Sequence, residues 1–223
     1  IRGIVDKNIT ENTAYTIGRV FGYVVYEKLN SNNISLGYDG RLTSPKLFKA
    51  LSLGLRDSGA KVYSIGICPT PMLYFADYHL RTDAAIMITG SHNPSEYNGF
   101  KMVLNKHSFF SENIQKFQSI VKNIKLEIKD GSIENVNLID AYIERILKNI
   151  SIKNKLKISW DIGNGAMGVI INKLISNLKN TENILINKDV DGNFPNHHPD
   201  PTVPKNMEQL IASVKENKSD VGL

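Results

Sequence analysis

The chain has 223 residues, of which 41% are hydrophobic and 22% charged, and it carries a net charge of +5. Such a composition belongs to an ordinary globular protein with enough chain to bury a sizeable core. It contains no apolar run near the ~18 residues of a membrane helix. No stretch interleaves basic residues with aromatics, which argues against nucleic acid as a partner. The single cysteine, Cys68, excludes a disulfide framework. Residues Ile1–Asp6 lack the basic start and apolar stretch of a secretory leader, so a reducing cytoplasm is the expected setting. The mild positive balance suits a small anionic substrate.

Short apolar strands alternate with amphipathic helices, the pattern of an α/β protein with a mixed, mostly parallel sheet flanked by helices. Ser35–Tyr38 reads as a strand. Ser44-Pro45 then starts a helix, with Ser44 as its cap and Leu47, Phe48, Leu51 and Leu55 on one face. Ser58-Gly59 ends it. Lys61–Ile65 is the next strand, and Thr70–Leu80 reads as helical. Ala84–Ile88 is apolar throughout, as a strand in the middle of a sheet would be. A strand over Phe100–Leu104 and two helices, over 112–126 and 137–150, complete a first domain spanning 1–150. The second of these helices places Ile139, Ile143, Ile146 and Ile150 on one stripe. Polar, unpatterned Ser151–Lys155 marks the boundary to a second, similar unit over 151–223. That unit reads as a strand to Ile162, a helix over 167–178, a strand at 184–187 and a loop to Thr202. Its last helix spans 204–217, with Met207, Leu210, Ile211 and Val214 facing inward.

The chemistry gathers behind the apolar strand. Ala84–Ile88 runs directly into Thr89-Gly90-Ser91-His92-Asn93-Pro94, and ligands in parallel α/β sheets collect at the carboxyl ends of strands. Gly90 permits a sharp turn or a close backbone approach, and Asn93-Pro94 fixes the loop. Tyr97-Asn98-Gly99 turns the chain again before Phe100-Lys101. The loop thus presents a hydroxyl, an imidazole and an ammonium. It is not a nucleophile elbow, because Asn93 stands where that motif needs its second glycine.

Thr89–Pro94 followed by Tyr97-Asn98-Gly99-Phe100-Lys101 resembles the phosphoserine loop of the α-D-phosphohexomutases, and most closely that of the phosphomannomutase/phosphoglucomutase branch. Gly90 before the serine favours this branch over the phosphoglucosamine mutases, which usually have alanine there. Further segments match in order. Ile1–Val5 resembles the end of the family's Y-D-I-R-G motif, and Gly37-Tyr38-Asp39-Gly40-Arg41 its G-x-D-x-R segment. Asp161–Gly165 and Asp191–Pro201 resemble two signatures of the second domain.

The resemblance implies an enzyme in which phosphorylated Ser91 passes its phosphoryl group to a hexose monophosphate. The resulting 1,6-bisphosphate reorients and returns the other phosphoryl group. It implies Mg²⁺ as cofactor, bound partly through the Ser91 phosphate, and glucose 1,6-bisphosphate as activator. Lys101, Arg2 and His92 take acid, base or electrostatic roles, and Arg2, Arg41 and Lys101 bind substrate phosphate. The family's Asp-Gly-Asp-Gly-Asp metal loop normally follows a segment like Ser219–Leu223, so the aspartate ligands are expected beyond Leu223, and the chain alone is expected to be inactive. A non-catalytic sugar-phosphate-binding fragment is the corresponding alternative.

Another alternative comes from Gly163-Asn164-Gly165-Ala166-Met167-Gly168, a G-x-G-x-x-G between an expected strand and helix, as in NAD(P)-binding oxidoreductases. His197 and His198 lack a third ligand at sensible spacing and read as loop packing. Cys68, in an apolar context, reads as an inert packing thiol.

Overall fold

The computed structural model describes residues 1–223. They divide into two units, Ile1–Ser91 with Glu96–Asn137, and Leu138–Leu223 with His92–Ser95. The break at Asn137/Leu138 lies before the helix that the sequence pattern assigns to the first domain. The reason is packing: Ile143 of that helix is buried with Ile171 and Leu174 of the second unit.

The first unit is built on β1 (Arg2–Ile4), β2 (Asn33–Tyr38), β3 (Lys61–Ile67), β4 (Ala84–Ile88), β5 (Tyr97–Leu104), β6 (His107–Phe109) and β7 (Ser132–Asn135). Their order is β1-β5-β4-β2-β3-β7, with β6 beside β5. The strands β2, β3, β4 and β7 pair in parallel. β5 runs antiparallel to β4, β1 and β6. All five residues of β4 are buried, as the unbroken apolar run requires of a strand covered on both faces. Mixed α/β architecture is therefore as expected.

Four helices belong to this unit: α1 (Glu11–Leu29), α2 (Ser44–Asp57), α3 (Thr70–His79) and α4 (Glu112–Asn123). The longest, α1, has no counterpart in the pattern reading. Gly18 and Gly22 each lower helix propensity by about 1 kcal/mol. They stand where α1 crosses α2. A Cβ on Gly18 would lie 2.5 Å from the Leu51 carbonyl oxygen, and one on Gly54 of α2 would lie 2.1 Å from that of Tyr15. The helices thus meet backbone to backbone, and Ala14, Val20, Phe21, Val25, Leu47, Leu51 and Leu55 fill the core around the crossing. Thr10 caps α1 by accepting the Thr13 amide at 3.1 Å, and Asn30 ends it in the left-handed region.

Ser44 departs from its expected role. Thr43 precedes the helix, no side chain caps it, and the Ser44 hydroxyl instead donates to Asp39 at 2.7 Å. At the opposite, amino ends of β2 and β4, buried Asp77 accepts the Thr82 hydroxyl at 2.9 Å and pairs with Lys106 at 2.9 Å. Lys106 also donates to the carbonyls of Asp77 and Thr82, and Ser35 completes this network through Thr82.

The second unit holds α5 (Ile139–Leu147), β8 (Leu156–Asp161), α6 (Ile171–Ser176), β9 (Thr181–Ile186), α7 (Glu208–Asn217) and β10 (Val221–Gly222). β8 lies between β10 and β9, and all three are parallel. The two helices expected here are each broken into a 3₁₀ turn and a shorter α-helix, with turns at Ala166–Val169 and Pro204–Met207. α5 stops before Ile150, which is 46% exposed, and Ile211 is 48% exposed rather than inward. Leu210 and Ser213 define the buried face of α7, and Ile211 lies about 100° around the helix from Leu210. No helix is long and apolar enough to cross a membrane.

The α1–α2 crossing yields a stability test. Gly54→Ala raises helix propensity by about 1 kcal/mol but drives a methyl group into the Tyr15 carbonyl. The net result should be a loss on the order of 1–3 kcal/mol, read as a lower urea midpoint with the slope unchanged.

Candidate functional site

The loop after β4 is shaped by the parallel pairing of β2 and β4, which sets Tyr38 beside Ile88. The next residues, Asp39 and Thr89, therefore leave the sheet side by side, and the Asp39 amide donates to the Ile88 carbonyl at 2.9 Å. The Asp39 carboxylate turns onto the loop. One oxygen accepts the Gly90 amide at 3.1 Å and lies 3.3 Å from Arg41 Nε. The other accepts the Arg41 amide at 3.1 Å and the Ser44 hydroxyl at 2.7 Å.

Arg41 continues the clamp. Its side chain is 1% exposed, and its guanidinium donates to the carbonyls of Ser91 at 3.0 Å and Tyr97 at 3.1 Å. A Cβ at Gly90 would fall 2.4 Å from Arg41 Cζ, so glycine is needed there for the guanidinium to lie flat against the loop. Ser91 itself has φ 55°, a left-handed conformation that non-glycine residues adopt rarely and at a cost of about 1–2 kcal/mol. Its amide donates to Thr89 Oγ1 at 2.9 Å. The strained residue is thus held from both sides. Beneath it, buried Asn98 donates to Thr43 Oγ1 at 3.0 Å and Ser44 Oγ at 2.9 Å.

Arg2 and Lys101 reach the same end of the sheet. Arg2 pairs with Gly99 across β1 and β5, and Lys101 lies two residues further along β5, on the same face. Burial, then the charge of Arg2, pushes the Lys101 ammonium below its ordinary lysine value, with Asp39 opposing. Arg41 is also lowered, chiefly by burial, against the stabilising carboxylate of Asp39. The first unit therefore brings Ser91, Arg2, Arg41 and Lys101 together at one sheet end. His92 is exposed, and its segment groups with the second unit, so this cluster is built without it.

Sequence reasoning quoted Asp39 within a motif but gave it no role, and it passed over Thr89, Asn98 and Tyr97 as parts of the site. Asp39 had a readable signal: an acidic residue directly past an apolar strand, in the position that Thr89 holds past the neighbouring one.

The second unit has a polar cluster of its own at the end of β8. Asp161 accepts the Gly163 amide at 2.9 Å and Asn187 Nδ2 at 3.0 Å, and it pairs with His197 Nε2 at 2.9 Å. His197 Nδ1 lies 3.0 Å from the His198 carbonyl oxygen. His197 accordingly holds a loop. The Gly163–Gly168 segment forms a turn and a 3₁₀ stretch that Asn164 ties to the Asp189 carbonyl at 2.9 Å. It does not run into the helix N-terminus that a dinucleotide pyrophosphate needs. No group of three or more His, Cys, Asp or Glu side chains gathers to hold a metal ion, so the donors of this chain do not by themselves fit magnesium. Cys68 is buried, and desolvation pushes its thiol up to about 12, as befits a packing residue.

Two family models cover the chain: domain I of phosphoglucomutase/phosphomannomutase matches residues 1–127, and domain II matches residues 140–223. A phosphomannomutase/phosphoglucomutase of Pseudomonas syringae pv. tomato is 45% identical over the whole chain, which covers 48% of that protein. A phosphoglucomutase of Neisseria gonorrhoeae is 42% identical, with the same coverage. The crystal structure of a phosphoglucomutase/phosphomannomutase family protein from Burkholderia thailandensis superposes with a TM-score of 0.93 at 38% identity, covering 100% of this chain and 50% of that one. The chain spans about half the length of the curated relatives it matches. With both α/β/α models placed in order along it and the Ser91 loop built as described, the chain belongs to the phosphoglucomutase/phosphomannomutase family.

Proposed function

We propose that this chain is the phosphoryl-carrying half of a hexose-phosphate mutase, with Ser91 the residue that carries the phosphoryl group. The observation that carries the reading is the position of Ser91, pinned at φ 55° past the end of β4 beside three cationic side chains. A serine phosphate adds about two negative charges and three acceptor oxygens. Arg2 and Lys101 supply charge on one face of the sheet, and electrostatic stabilisation dominates phosphoryl transfer.

The proposed step breaks the bond between phosphorus and Ser91 Oγ and forms one between phosphorus and a sugar hydroxyl oxygen. The hydroxyl proton must leave, and the Ser91 oxygen must be reprotonated or carry charge. Lys101 suits proton exchange because its lowered proton affinity leaves more neutral amine near neutral pH than an ordinary lysine would have. His92 is a further proton carrier or positioning group. Arg41, with its guanidinium on two backbone carbonyls, serves the loop rather than the substrate. A hexose 1-phosphate or 6-phosphate of mannose or glucose is the proposed substrate, with a 1,6-bisphosphate as intermediate and activator. The magnesium that the family resemblance implies finds no group of three or more His, Cys, Asp or Glu ligands in this chain.

The direct test is mass mapping of the full-length protein after exposure to glucose 1,6-bisphosphate. Phosphate should appear on the Ser91 peptide and leave on a chase with hexose monophosphate. Ser91→Ala should lower mutase turnover by about 10³-fold or more. An unmodified Ser91 in folded protein would sink the reading.

Lys101 gives a second test with a sign. Its folded proton affinity is below the unfolded value, so the unfolded chain binds more protons in the window between the two, and stability rises with pH there. Lys101→Gln should flatten that rise and raise the urea midpoint at neutral pH, while lowering turnover about 10²–10⁴-fold. A variant with reduced stability at neutral pH would contradict the assignment.

A further inference from the structure

We propose that Asp39 is the positioning residue of the Ser91 loop, and that it acts through two linked contacts, the Gly90 amide and the Arg41 guanidinium. The catalytic part of this inference rests on the mutase reading above. The structural part stands without it.

Asp39 accepts three hydrogen bonds, from Arg41 N and Ser44 Oγ on Oδ1 and from Gly90 N on Oδ2, and Oδ2 also forms an ion pair with the Arg41 guanidinium, 3.3 Å from Nε. An ionised carboxylate can accept all three and attract the guanidinium as well, whereas an amide of the same shape has one acceptor oxygen, carries no charge and turns N–H groups toward the donors on its other side. No other side chain of this size meets the requirement at a strand end. The second link is Arg41. Held at one end by Asp39, its planar guanidinium reaches the Ser91 and Tyr97 carbonyls at 3.0 and 3.1 Å, one on each side of the loop. A lysine would present a point charge on a flexible stem and could not hold both in a fixed fork. Asp39 therefore fixes the residue before Ser91 directly, and Ser91 itself through Arg41.

This arrangement has a mechanical purpose. Ser91 sits in a left-handed conformation that persists only where surroundings over-determine it. If the clamp is loosened, Ser91 can relax toward ordinary backbone angles, and its Oγ is then re-aimed. A displacement near 1 Å at a reacting atom can cost about 10²-fold in rate.

The experiment compares Asp39→Asn with Asp77→Asn in the full-length protein. Asp77 is 1% exposed and hydrogen-bonded like Asp39, but it lies at the amino ends of the strands, away from the loop. Hydrogen exchange at the Gly90 amide should be faster by at least about tenfold in Asp39→Asn and unchanged in Asp77→Asn. Mutase kcat should fall about 10- to 100-fold in Asp39→Asn, with KM within about twofold, and should stay at the wild-type value in Asp77→Asn despite an equal or larger drop in Tm. Wild-type exchange at Gly90 in Asp39→Asn, or kcat losses in both variants that track Tm alone, would overturn the proposal. Should Asp39→Asn not fold, Arg41→Lys decides. It keeps the charge and removes the fork, so kcat should fall about as far, and a wild-type kcat would overturn the proposal. If wild-type protein never phosphorylates Ser91, the mutase reading fails, while the exchange measurement still tests the clamp.

Discussion

Strands β2 and β4 pair in parallel and finish level with one another, Tyr38 beside Ile88. Everything distinctive about the site follows from that register. It places the first residue past each strand within hydrogen-bonding reach of the other strand's loop, so a carboxylate on one can hold the backbone of the other. A one-residue slip in the pairing would turn Asp39 to the opposite face of the sheet. Gly90 would then lose its acceptor, and Arg41 the partner that aims it. The buried, apolar β4 makes such a slip costly, because every side chain of the strand is enclosed. Site geometry here is a consequence of core packing.

The α1–α2 crossing serves the same end from behind the sheet. By meeting at glycine, the two helices let a compact layer cover β2 and β4, with Ile34, Leu36, Ile86 and Ile88 in one core with Phe21, Leu51 and Leu55. α2 also begins at Ser44, whose hydroxyl links Asp39 to Asn98. The helix start, the strand end and the first residues of β5 are therefore one polar assembly, and the apolar layer beneath keeps it in place.

Contiguous features were legible in the sequence. The Ser91 loop is a single run of residues after an unmistakable apolar strand, and its place at a carboxyl end followed from the pattern. The α/β alternation was legible for the same reason. What escaped was non-local or locally unfavourable. Asp39 and Gly90 are separated by 51 residues, and no spacing rule connects them. Arg41 was assigned to substrate phosphate from its match to a family segment, and no local pattern reveals that its guanidinium is buried against two backbone carbonyls. α1 was missed because its glycines oppose helix formation in isolation and favour it only against α2. Short β7 and β10 carry too few residues for a period to register. The boundary before α5 was hidden because an amphipathic helix does not record which core receives its apolar stripe.

The chain's return through β5 has one more consequence. In most parallel α/β sheets the loop after a strand enters a helix, and the amide groups at the helix start receive an anion without any side chain being involved. Here β4 turns back into antiparallel β5, so no helix begins behind Ser91. A negative charge placed on Ser91 would therefore be met by side chains, whose identity a single codon change can alter. A helix-cradled phosphate tolerates sequence drift because its ligands are backbone. If Ser91 carries a phosphoryl group as proposed, the strength with which it is held is set by individual side chains of the first unit and not by the backbone of a helix start.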